Sequence, residues 1–258
     1  MIKLIASDLD GTLLQNGSRQ VPPEFIETIK ECKKKGILFA AASGRQYASL
    51  QRLFAEVKDD IAYICENGAV TIYQGQVLHQ SVIDRTIANE IIQKIIAEDG
   101  SHALVSGAFT SYIDGKDKDL EDRLHSNGNH VVILPDLLQV EEPIVKLAIY
   151  EKEGTEERNR GAYWQPKMPF PARVATSGAL WLDVLFPDAN KGIGMRALAE
   201  HLHLEKEEIM CFGDNQNDME MFAESGIPVA VENAKPEVLA ASKYVTSSVN
   251  EFVRKYCL

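Results

Sequence analysis

Short apolar runs alternate with helical patterns along the first part of the chain, and this alternation restricts the fold more than any other feature. Residues 2–7, 37–42 and 61–65 are such runs, which are typical of strands buried on both faces of a sheet. Residues 22–35 carry apolar side chains at the helical period. Strand–helix–strand units of this length pair their strands in parallel. The sequence therefore predicts an α/β fold with a doubly wound, mostly parallel sheet.

The rhythm changes in the middle of the chain, from about Asp84 onwards. Short strands and helices follow one another less regularly, and residues 176–178 (TSG) indicate the turn of a β-hairpin, which a purely parallel sheet does not contain. Towards the end of the chain the strand–helix alternation returns. We therefore predict a core domain in two parts, 1–83 and 185–258, interrupted by an inserted α+β domain at 84–184.

The overall composition excludes several classes of partner. The chain has 258 residues and a formal net charge of -11, whereas nucleic-acid-binding domains are usually basic, so no nucleic-acid partner is predicted. No apolar stretch approaches the ~20 residues of a membrane span, and Ser7 and Asp8 break the opening run too early for a signal peptide. The cysteines show no CxxC spacing, so reduced thiols and a cytoplasmic location are predicted. These cysteines are Cys32, Cys65, Cys211 and Cys257.

Two aspartates, Asp8 and Asp10, stand where the first buried run ends. In open α/β sheets, ligands bind beyond the carboxyl ends of the strands. Residues i and i+2 of an extended chain point the same way, so both carboxylates can face one site. Gly11 then allows a sharp turn that exposes backbone N–H groups. Taken alone, this pattern also fits a solvated acidic loop.

Other predicted strand ends carry polar groups that complete a site. Ser43-Gly44-Arg45 follows the second run, and residues 213–218 (GDNQND) follow a strand near the end of the chain. Lys191-Gly192 lies near the start of a helix, where N–H groups favour anions. Several carboxylates brought together need a cation, and oxygen ligands suit Mg²⁺. The amides, the hydroxyl and the lysine suit a phosphate group.

These segments resemble, in order, the four sequence motifs of the haloacid dehalogenase-like hydrolases. The matching segments are DLDGT at 8–12, SGR at 43–45, KG at 191–192 and GDNQND at 213–218. The long insert between the second and third motifs resembles a C2-type cap domain, and its mixed content is similar to that of the Cof-type phosphatases of subclass IIB. ENGA at 66–69 is similar to a stretch common in that group. The resemblance implies a Rossmann-like core with an inserted cap.

The resemblance also implies a role for each motif residue. Asp8 matches the nucleophile, which forms an aspartyl phosphate, and Asp10 matches the general acid and base. The residues that match phosphate-binding positions are Leu9, Ser43, Gly44, Lys191 and Asn217. Those that match the Mg²⁺ ligands are Asp8, Asp214 and the backbone carbonyl of Asp10. Asp218 matches a residue that orients Lys191 or a metal-bound water, and Arg45 either reaches the substrate or makes a structural salt bridge.

The predicted function is a magnesium-dependent phosphatase for small phosphorylated metabolites, with sugar phosphates as the expected class. A phosphomutase of the same superfamily stays open as an alternative. A phosphoacceptor signalling module is a further alternative, but an acid–base residue two positions from the phosphorylated aspartate and a large insert both argue against it. A degenerate binding protein is expected to have lost a motif aspartate. The insert is predicted to close over the site and to determine specificity, and the sequence leaves the oligomeric state open.

Overall fold

The computed structural model describes residues 1–156 and 159–258, and these form two compact units. The first unit joins Met1–Gln80 to Asn190–Leu258, and the second is the continuous segment Ser81–Ala189. The chain thus leaves the first unit once and returns to it once.

The secondary structure alternates in both parts of the first unit and is strand-rich in the second. The strands are β1 (Leu4–Asp8), β2 (Leu38–Ala42), β3 (Ala62–Cys65), β4 (Val70–Tyr73), β5 (Gln76–Gln80), β6 (Ser101–Ser106), β7 (Ser111–Ile113), β8 (Val131–Ile133), β9 (Lys146–Glu151), β10 (Arg173–Gly178), β11 (Trp181–Leu185), β12 (Ile209–Gly213), β13 (Ile227–Val231) and β14 (Tyr244–Thr246). The α-helices are α1 (Pro23–Lys34), α2 (Tyr47–Leu53), α3 (Arg85–Ile96), α4 (Lys118–Ser126), α5 (Arg160–Trp164), α6 (Lys191–His201), α7 (Met219–Ala223), α8 (Pro236–Ala241) and α9 (Val249–Cys257). Short 3₁₀ turns lie at Glu66–Gly68, Leu137–Gln139, Gln165–Lys167, Lys206–Glu208 and Gln216–Asp218.

The first unit is built on an eight-stranded sheet with the order β14-β13-β12-β1-β2-β3-β4-β5. All neighbours from β14 to β3 pair in parallel, and only β4 and β5 run antiparallel to their neighbours. The prediction of a mostly parallel α/β sheet is therefore confirmed. β1 lies between β12 and β2, so successive strands are added on one side of it early in the chain and on the other side late. Such a reversal of strand order opens a crevice at the carboxyl ends of the strands.

Helices cover both faces of this sheet. Phe39 of β2 points to the face occupied by α1, where its ring lies 5.3 Å from that of Phe25 at an edge-to-face angle. Thr71 of β4 pairs with Ile64 of β3, whose side chain points to the opposite face by strand alternation. On that face Thr71 Oγ1 donates a hydrogen bond to the carbonyl of Gly194 in α6 (3.3 Å). The doubly wound arrangement predicted from the sequence is thus confirmed.

Three short strands of this sheet, β4, β5 and β14, were not predicted. The β4–β5 hairpin turns at Gln74 and Gly75, which both have positive φ (50° and 74°). Two such residues make the turn type that matches the twist of a hairpin, but Asn or Asp usually occupies the first position, so Gln74 gave a weak signal. β14 has only three residues and pairs with β13 alone. Three residues are too few to show an alternation of apolar and polar side chains, so this strand forms because it pairs with β13 and not because of a sequence pattern of its own.

The second unit is a six-stranded sheet with the order β10-β11-β9-β6-β7-β8. Its pairs are antiparallel except for β7 with β8. β10 and β11 form the hairpin predicted around residues 176–178. Along β9, Leu147 and Ile149 pack with α3 and Trp164 on one face, whereas Ala148 and Tyr150 pack with α4 on the other. The predicted α+β content of the insert is therefore confirmed. None of the helices in either described segment is long and apolar enough to span a membrane.

Candidate active site

The ends of three neighbouring strands bring the sequence motifs to one edge of the first unit. Asp8 is the last residue of β1, Ser43 follows β2, and Asp214 follows β12. Because β1 pairs in parallel with both other strands, all three carboxyl ends point the same way. Residues that are about two hundred positions apart in the chain therefore lie side by side.

Lys191 connects two of the aspartates at this edge. It is the first residue of α6, and its side chain is fully buried, with 0% of its surface exposed. Lys191 Nζ lies 2.5 Å from Asp8 Oδ1 and 2.6 Å from Asp218 Oδ1. A buried ammonium is stable only when it is paired and hydrogen-bonded, and these two carboxylates meet that need. The start of α6 is fixed by Asn190, whose side chain accepts a hydrogen bond from the N–H of Ile193 (3.0 Å).

Asp218 holds the loop that follows β12 in place through hydrogen bonds. Its Oδ1 accepts from Lys191, and its Oδ2 accepts from the backbone N–H groups of Asp214 (3.0 Å) and Asn215 (3.1 Å). The carboxylate is completely buried. Since both oxygens are engaged by protein donors, Asp218 is better suited to orient Lys191 and Asp214 than to bind a metal ion directly.

The remaining carboxylates match the requirements of a divalent cation. One oxygen each from Asp8, Asp214 and Asp218 lie within 4.8 Å of one another. With Asp218 engaged elsewhere, Asp8 and Asp214 are the pair that can share an ion. Oxygen donors of this kind fit Mg²⁺, which usually takes one or two carboxylates and keeps several waters. Thr12 Oγ1 donates to Asp214 Oδ1 (2.9 Å) and so orients one of these donors.

Burial changes the acidity of these groups. Removal from water raises the pKa of the Asp8 carboxyl to about 7; the Lys191 ammonium opposes this rise, and the Asp218 and Asp214 carboxylates add to it. Burial also raises the pKa of Asp214, whereas the hydrogen bond from Thr12 lowers it. Burial alone lowers the pKa of Lys191, but Asp8 and Asp218 outweigh that effect and keep the lysine charged. A cation that binds here competes with protons, because it needs the carboxylates ionised.

A tight turn separates the buried Asp8 from Asp10. The N–H of Leu14 donates to the carbonyl of Leu9 (2.7 Å), and the N–H of Gly11 donates to the carbonyl of Leu14 (3.0 Å). Gly11 has a φ of 97°, and a Cβ at this position would lie 2.6 Å from Asp214 Oδ2. Glycine is therefore required both for the backbone angle and for the close approach of the Asp214 carboxylate. The side chain of Leu9 is buried, so only its backbone can contact a ligand.

Asp10 and Arg45 form an ion pair next to this turn. Arg45 Nη2 donates to Asp10 Oδ1 (2.6 Å) and Nε donates to Oδ2 (3.0 Å), which is the bidentate geometry of a strong pair. The Asp10 side chain is 58% exposed, in contrast to the buried Asp8. The two opening aspartates thus occupy very different surroundings. Arg45 was expected either to reach the substrate or to make a structural salt bridge, and in this structure it makes the salt bridge.

The predicted phosphate-binding side chains are arranged around a residue that sequence reasoning did not select. Ser43 is buried, and its hydroxyl accepts from the N–H of Arg45 (3.3 Å). Asn217 is exposed, and its Nδ2 donates to Oδ1 of Asn67 (3.1 Å). Asn67 belongs to the ENGA stretch, and that resemblance was the one signal that could have identified it. Thr12 was also missed, although it closes the DLDGT motif.

A comparison with known protein families gives this arrangement a context. The family model described as haloacid dehalogenase-like hydrolase matches residues 5–252. The chain belongs to the haloacid dehalogenase-like hydrolases. The match spans nearly the whole chain, including the inserted unit. The family resemblance that the four motifs indicated is therefore confirmed.

Curated members of this hydrolase family resemble the chain over almost their full length. A 5-amino-6-(5-phospho-D-ribitylamino)uracil phosphatase from Escherichia coli is 26% identical, and the match covers 96% of this chain and 92% of the relative. An HMP-PP phosphatase from an Enterobacter species is also 26% identical, with 93% of this chain and 88% of the relative covered. The prediction that the chain is an enzyme, a phosphatase of the haloacid dehalogenase-like family, is confirmed.

Several solved protein structures have the same fold as this chain. A protein from Thermotoga maritima is 26% identical with a TM-score of 0.86, covering 100% of this chain and 98% of its own. A protein from Eubacterium rectale is 28% identical with a TM-score of 0.85, covering 99% of both chains. A subclass IIB sugar phosphatase has a TM-score of 0.77 over 98% of both chains at 21% identity, and so supports the fold alone.

The contact between Thr12 and Asp214 leads to a prediction for this hydrolase. Thr12→Val keeps the buried shape but removes the hydroxyl donor, and we expect about tenfold weaker Mg²⁺ binding because Asp214 is no longer oriented. Thr12→Ser retains the hydroxyl and serves as the matched control, with binding close to that of the wild type. Calorimetric Mg²⁺ titration of the three proteins measures the effect. Equal affinity in Thr12→Val and wild type would show that the hydroxyl does not orient the ligand.

Proposed function

We propose that the protein is a magnesium-dependent phosphatase that hydrolyses small phosphorylated metabolites through an aspartyl phosphate on Asp8. The observation that carries this proposal is the position of the Asp8 carboxylate. It lies at the central strand end, 2.5 Å from the buried Lys191 and beside Asp214. A carboxylate held rigidly in this way is prepared to attack a bound phosphoryl group.

The reaction takes place in two transfers. In the first, an oxygen of Asp8 bonds to phosphorus as the bond between phosphorus and the ester oxygen breaks, and Asp10, which takes up a proton once it has left Arg45, passes that proton to the leaving oxygen. In the second, Asp10 takes a proton from water as that water attacks phosphorus, which releases inorganic phosphate and restores the Asp8 carboxylate. Asp10 is exposed, and among the described residues its side chain pairs with Arg45, so it can exchange this partner for the leaving group. Arg45 is then available to contact the substrate.

Charge on the transferring phosphoryl group is offset by groups from each motif. Lys191 supplies a fixed positive charge. Hydrogen-bond donors come from the Ser43 hydroxyl, the backbone N–H groups of Leu9 and Gly44, and the Asn217 amide. The carboxylates of Asp8 and Asp214 and the carbonyl of Asp10 would hold Mg²⁺, which would supply further positive charge to the site. Asp218 keeps Lys191 and the Asp214 loop in place.

Metal dependence tests the proposal directly. We expect hydrolysis of a generic aryl phosphate to disappear in excess chelator and to return with Mg²⁺. Ca²⁺ is expected to support little activity, because a larger ion with looser coordination misplaces nucleophile and phosphate. Phosphate release is the measurement, with the chelator's Mg²⁺ complex as the control for the chelator itself. Full activity in excess chelator would contradict the assignment.

A phosphomutase of the same family gives a different product. It transfers the phosphoryl group to a second hydroxyl of the substrate instead of to water. Incubation with a phosphorylated sugar separates the two activities, since a phosphatase releases inorganic phosphate and a mutase yields an isomer with little free phosphate. Release of phosphate in proportion to substrate loss supports the phosphatase.

We propose that the inserted unit, Ser81–Ala189, is a cap domain that determines which phosphate ester is hydrolysed. The residues proposed for phosphoryl transfer all lie outside it, so the insert is free to vary with the leaving group. The relatives named above act on 5-amino-6-(5-phospho-D-ribitylamino)uracil and on HMP-PP, and a small phosphorylated metabolite is the proposed substrate class here. We further propose that the enzyme acts in the cytoplasm, which is supported by four free thiols among the described residues.

A chimaera tests the role of the insert. Ser81–Ala189 is exchanged for the aligned segment of the HMP-PP phosphatase, so that the junctions lie where this chain crosses between its two units. We expect the ranking of substrates in a panel of phosphate monoesters to follow the inserted segment, while Mg²⁺ dependence follows the core. The parent chain with the same residues at the two junctions as the chimaera is the control for effects of the junctions. A chimaera that keeps the parent's ranking would place specificity in the core.

A further inference from the structure

A strained turn follows β3 beside the proposed phosphate site. Three consecutive residues, Glu66, Asn67 and Gly68, have positive φ angles of 49°, 57° and 92°. Such angles are costly for residues other than glycine, although Asn tolerates them better than most. A run of this kind persists only when its surroundings compensate for it, and such runs cluster at functional sites.

The backbone of the turn holds the second motif. The N–H of Asn67 donates to the carbonyl of Ser43 (3.0 Å), and the N–H of Glu66 donates to the carbonyl of Arg45 (3.1 Å). These two bonds flank Gly44, whose N–H is proposed to bind phosphate. The left-handed conformation directs both N–H groups to the same loop. The turn therefore fixes the path of the backbone through residues 43–45.

The same turn packs against the start of α6. A Cβ on Gly68 would lie 2.0 Å from the backbone carbonyl oxygen of Asn190 and 2.7 Å from the backbone nitrogen of Lys191. Contacts this short leave no room for any side chain. The turn is thus in direct contact with the residue that precedes the site lysine, and it helps to define where α6 begins.

The side chain of Asn67 joins two phosphate-binding segments. Its Oδ1 accepts a hydrogen bond from Nδ2 of Asn217 (3.1 Å). The amide also lies directly over Gly44, since a Cβ there would be 3.1 Å from Asn67 Nδ2. The contact with Asn67 holds the Asn217 amide in one orientation, so that the second N–H of its Nδ2 can be donated to a phosphate oxygen.

We propose that Asn67 is a positioning residue of the phosphate site, which acts by holding the Asn217 amide and the Gly44 loop in their binding geometry. This inference rests on the proposed function, because it assumes that Asn217 and Gly44 bind the phosphoryl group. The described contacts of Asn67 go to the phosphate-binding segments, whereas Thr12 and Asp218 orient the proposed metal ligand Asp214. Asn67 should therefore control the affinity for phosphate and leave the affinity for Mg²⁺ unchanged.

Two substitutions separate the side chain from the backbone strain. Asn67→Gly removes the amide but accepts the positive φ without cost, whereas Asn67→Ala removes the amide and keeps the strain. Gln74→Gly is the matched control, because Gln74 also has a positive φ (50°). It lies in the β4–β5 turn. Because β4 runs antiparallel to β3, this turn lies at the amino end of β3, whereas the turn that contains Asn67 lies at its carboxyl end.

The experiment measures vanadate binding in the presence of Mg²⁺, Mg²⁺ binding alone, and the kinetics of aryl phosphate hydrolysis. We expect Asn67→Gly to bind vanadate about tenfold more weakly, with a raised KM and with Mg²⁺ affinity unchanged. Asn67→Ala should show the same loss and a lower Tm. Gln74→Gly should match the wild type in all binding measurements. When Asn217→Ala is already present, Asn67→Gly should weaken vanadate binding by less than it does alone, because the amide that Asn67 positions has been removed.

Several results would overturn the inference. Unchanged vanadate affinity in Asn67→Gly would show that the amide positions nothing. Parallel losses of vanadate and Mg²⁺ affinity would indicate a general structural defect, and fully additive losses with Asn217→Ala would show that the two residues act separately. The proposed function is judged by a different measurement, namely whether the wild-type protein releases phosphate. An active wild type with an unaffected Asn67→Gly variant contradicts the inference alone.

Discussion

Asp8→Asn is expected to reduce phosphate release by about 10⁴-fold or more, because an amide cannot form the aspartyl phosphate. The fold should be retained, since the Asn side-chain oxygen can still accept from Lys191, and the substitution removes a buried charge. Initial rates of phosphate release and thermal unfolding measure the two effects. A folded variant that kept substantial activity would show that Asp8 is not the nucleophile.

A covalent readout strengthens this test. Wild-type enzyme quenched in acid during turnover should carry one phosphoryl group on the peptide that contains Asp8, detectable as a mass increase of that peptide. Asp8→Asn should remain unmodified under the same conditions. Labelling of the Asn variant at the same level would place the covalent intermediate on another residue.

The same substitution two residues later is the matched control. Asp10→Asn should bind Mg²⁺ and vanadate but lose about 10²–10⁴-fold in turnover, the usual contribution of general acid–base catalysis. The loss should be larger with a sugar phosphate than with an aryl phosphate, because a poor leaving group needs protonation more. Equal losses on both substrates would mean that Asp10 does not protonate the leaving group.

The second large effect concerns stability. Lys191 is the fully buried partner of both Asp8 and Asp218. Lys191→Met fills a similar volume but leaves two carboxylates without their cation, and such a loss typically costs about 3–5 kcal/mol in the free energy of unfolding. We also expect turnover to be lost, since the phosphoryl group loses its fixed positive charge. Chemical denaturation of both proteins without metal measures the change in stability.

The pH dependence distinguishes charge from packing. The pKa of Asp8 is raised from 3.8 to about 7 in the folded protein, so the folded state binds more protons in that interval, and the free energy of unfolding falls as the pH rises through it. Without Lys191 this fall should continue to higher pH, because the ammonium that opposes the rise in the Asp8 pKa is gone, and the cost of Lys191→Met should shrink at low pH, where Asp8 is protonated. Asp8→Asn introduced into Lys191→Met should restore part of the stability. A cost independent of pH and of Asp8 would assign the effect to packing.

Local patterns predicted much of this protein. The apolar run at residues 2–7 predicted a buried strand, and β1 (Leu4–Asp8) is buried along its whole length. The helical period at 22–35 predicted α1 to within a residue or two. Side chains repeat every two residues along a strand and about every 3.6 along a helix, so the pattern of apolar residues within one segment is enough to indicate its secondary structure. Because strand ends bind ligands in such sheets, the same patterns also indicated which aspartates to examine.

Other features depended on contacts between distant residues. The hydrogen bond between Lys191 and Asp8 joins residues 183 positions apart, and no local pattern encodes its geometry. A structural salt bridge was one of two open interpretations of Arg45, but its partner, Asp10, and the bidentate geometry were not predicted. The place of Asn67 between Gly44 and Asn217 gave no signal beyond a family resemblance.

The sequence by itself determined the α/β class, the order of the parallel strands β1, β2, β3, β12 and β13 with their helices, the interruption by an α+β insert and the residue types available at those strand ends. The tertiary structure alone decided that β1 lies between β2 and β12, that Asp8 is buried while Asp10 is exposed, and that Asn67 contacts Asn217. The physical reason is the range of the interactions. Periodicity and turn preferences act over a few residues, whereas burial, charge pairing and the orientation of an amide are set by whichever segments the packed core brings together.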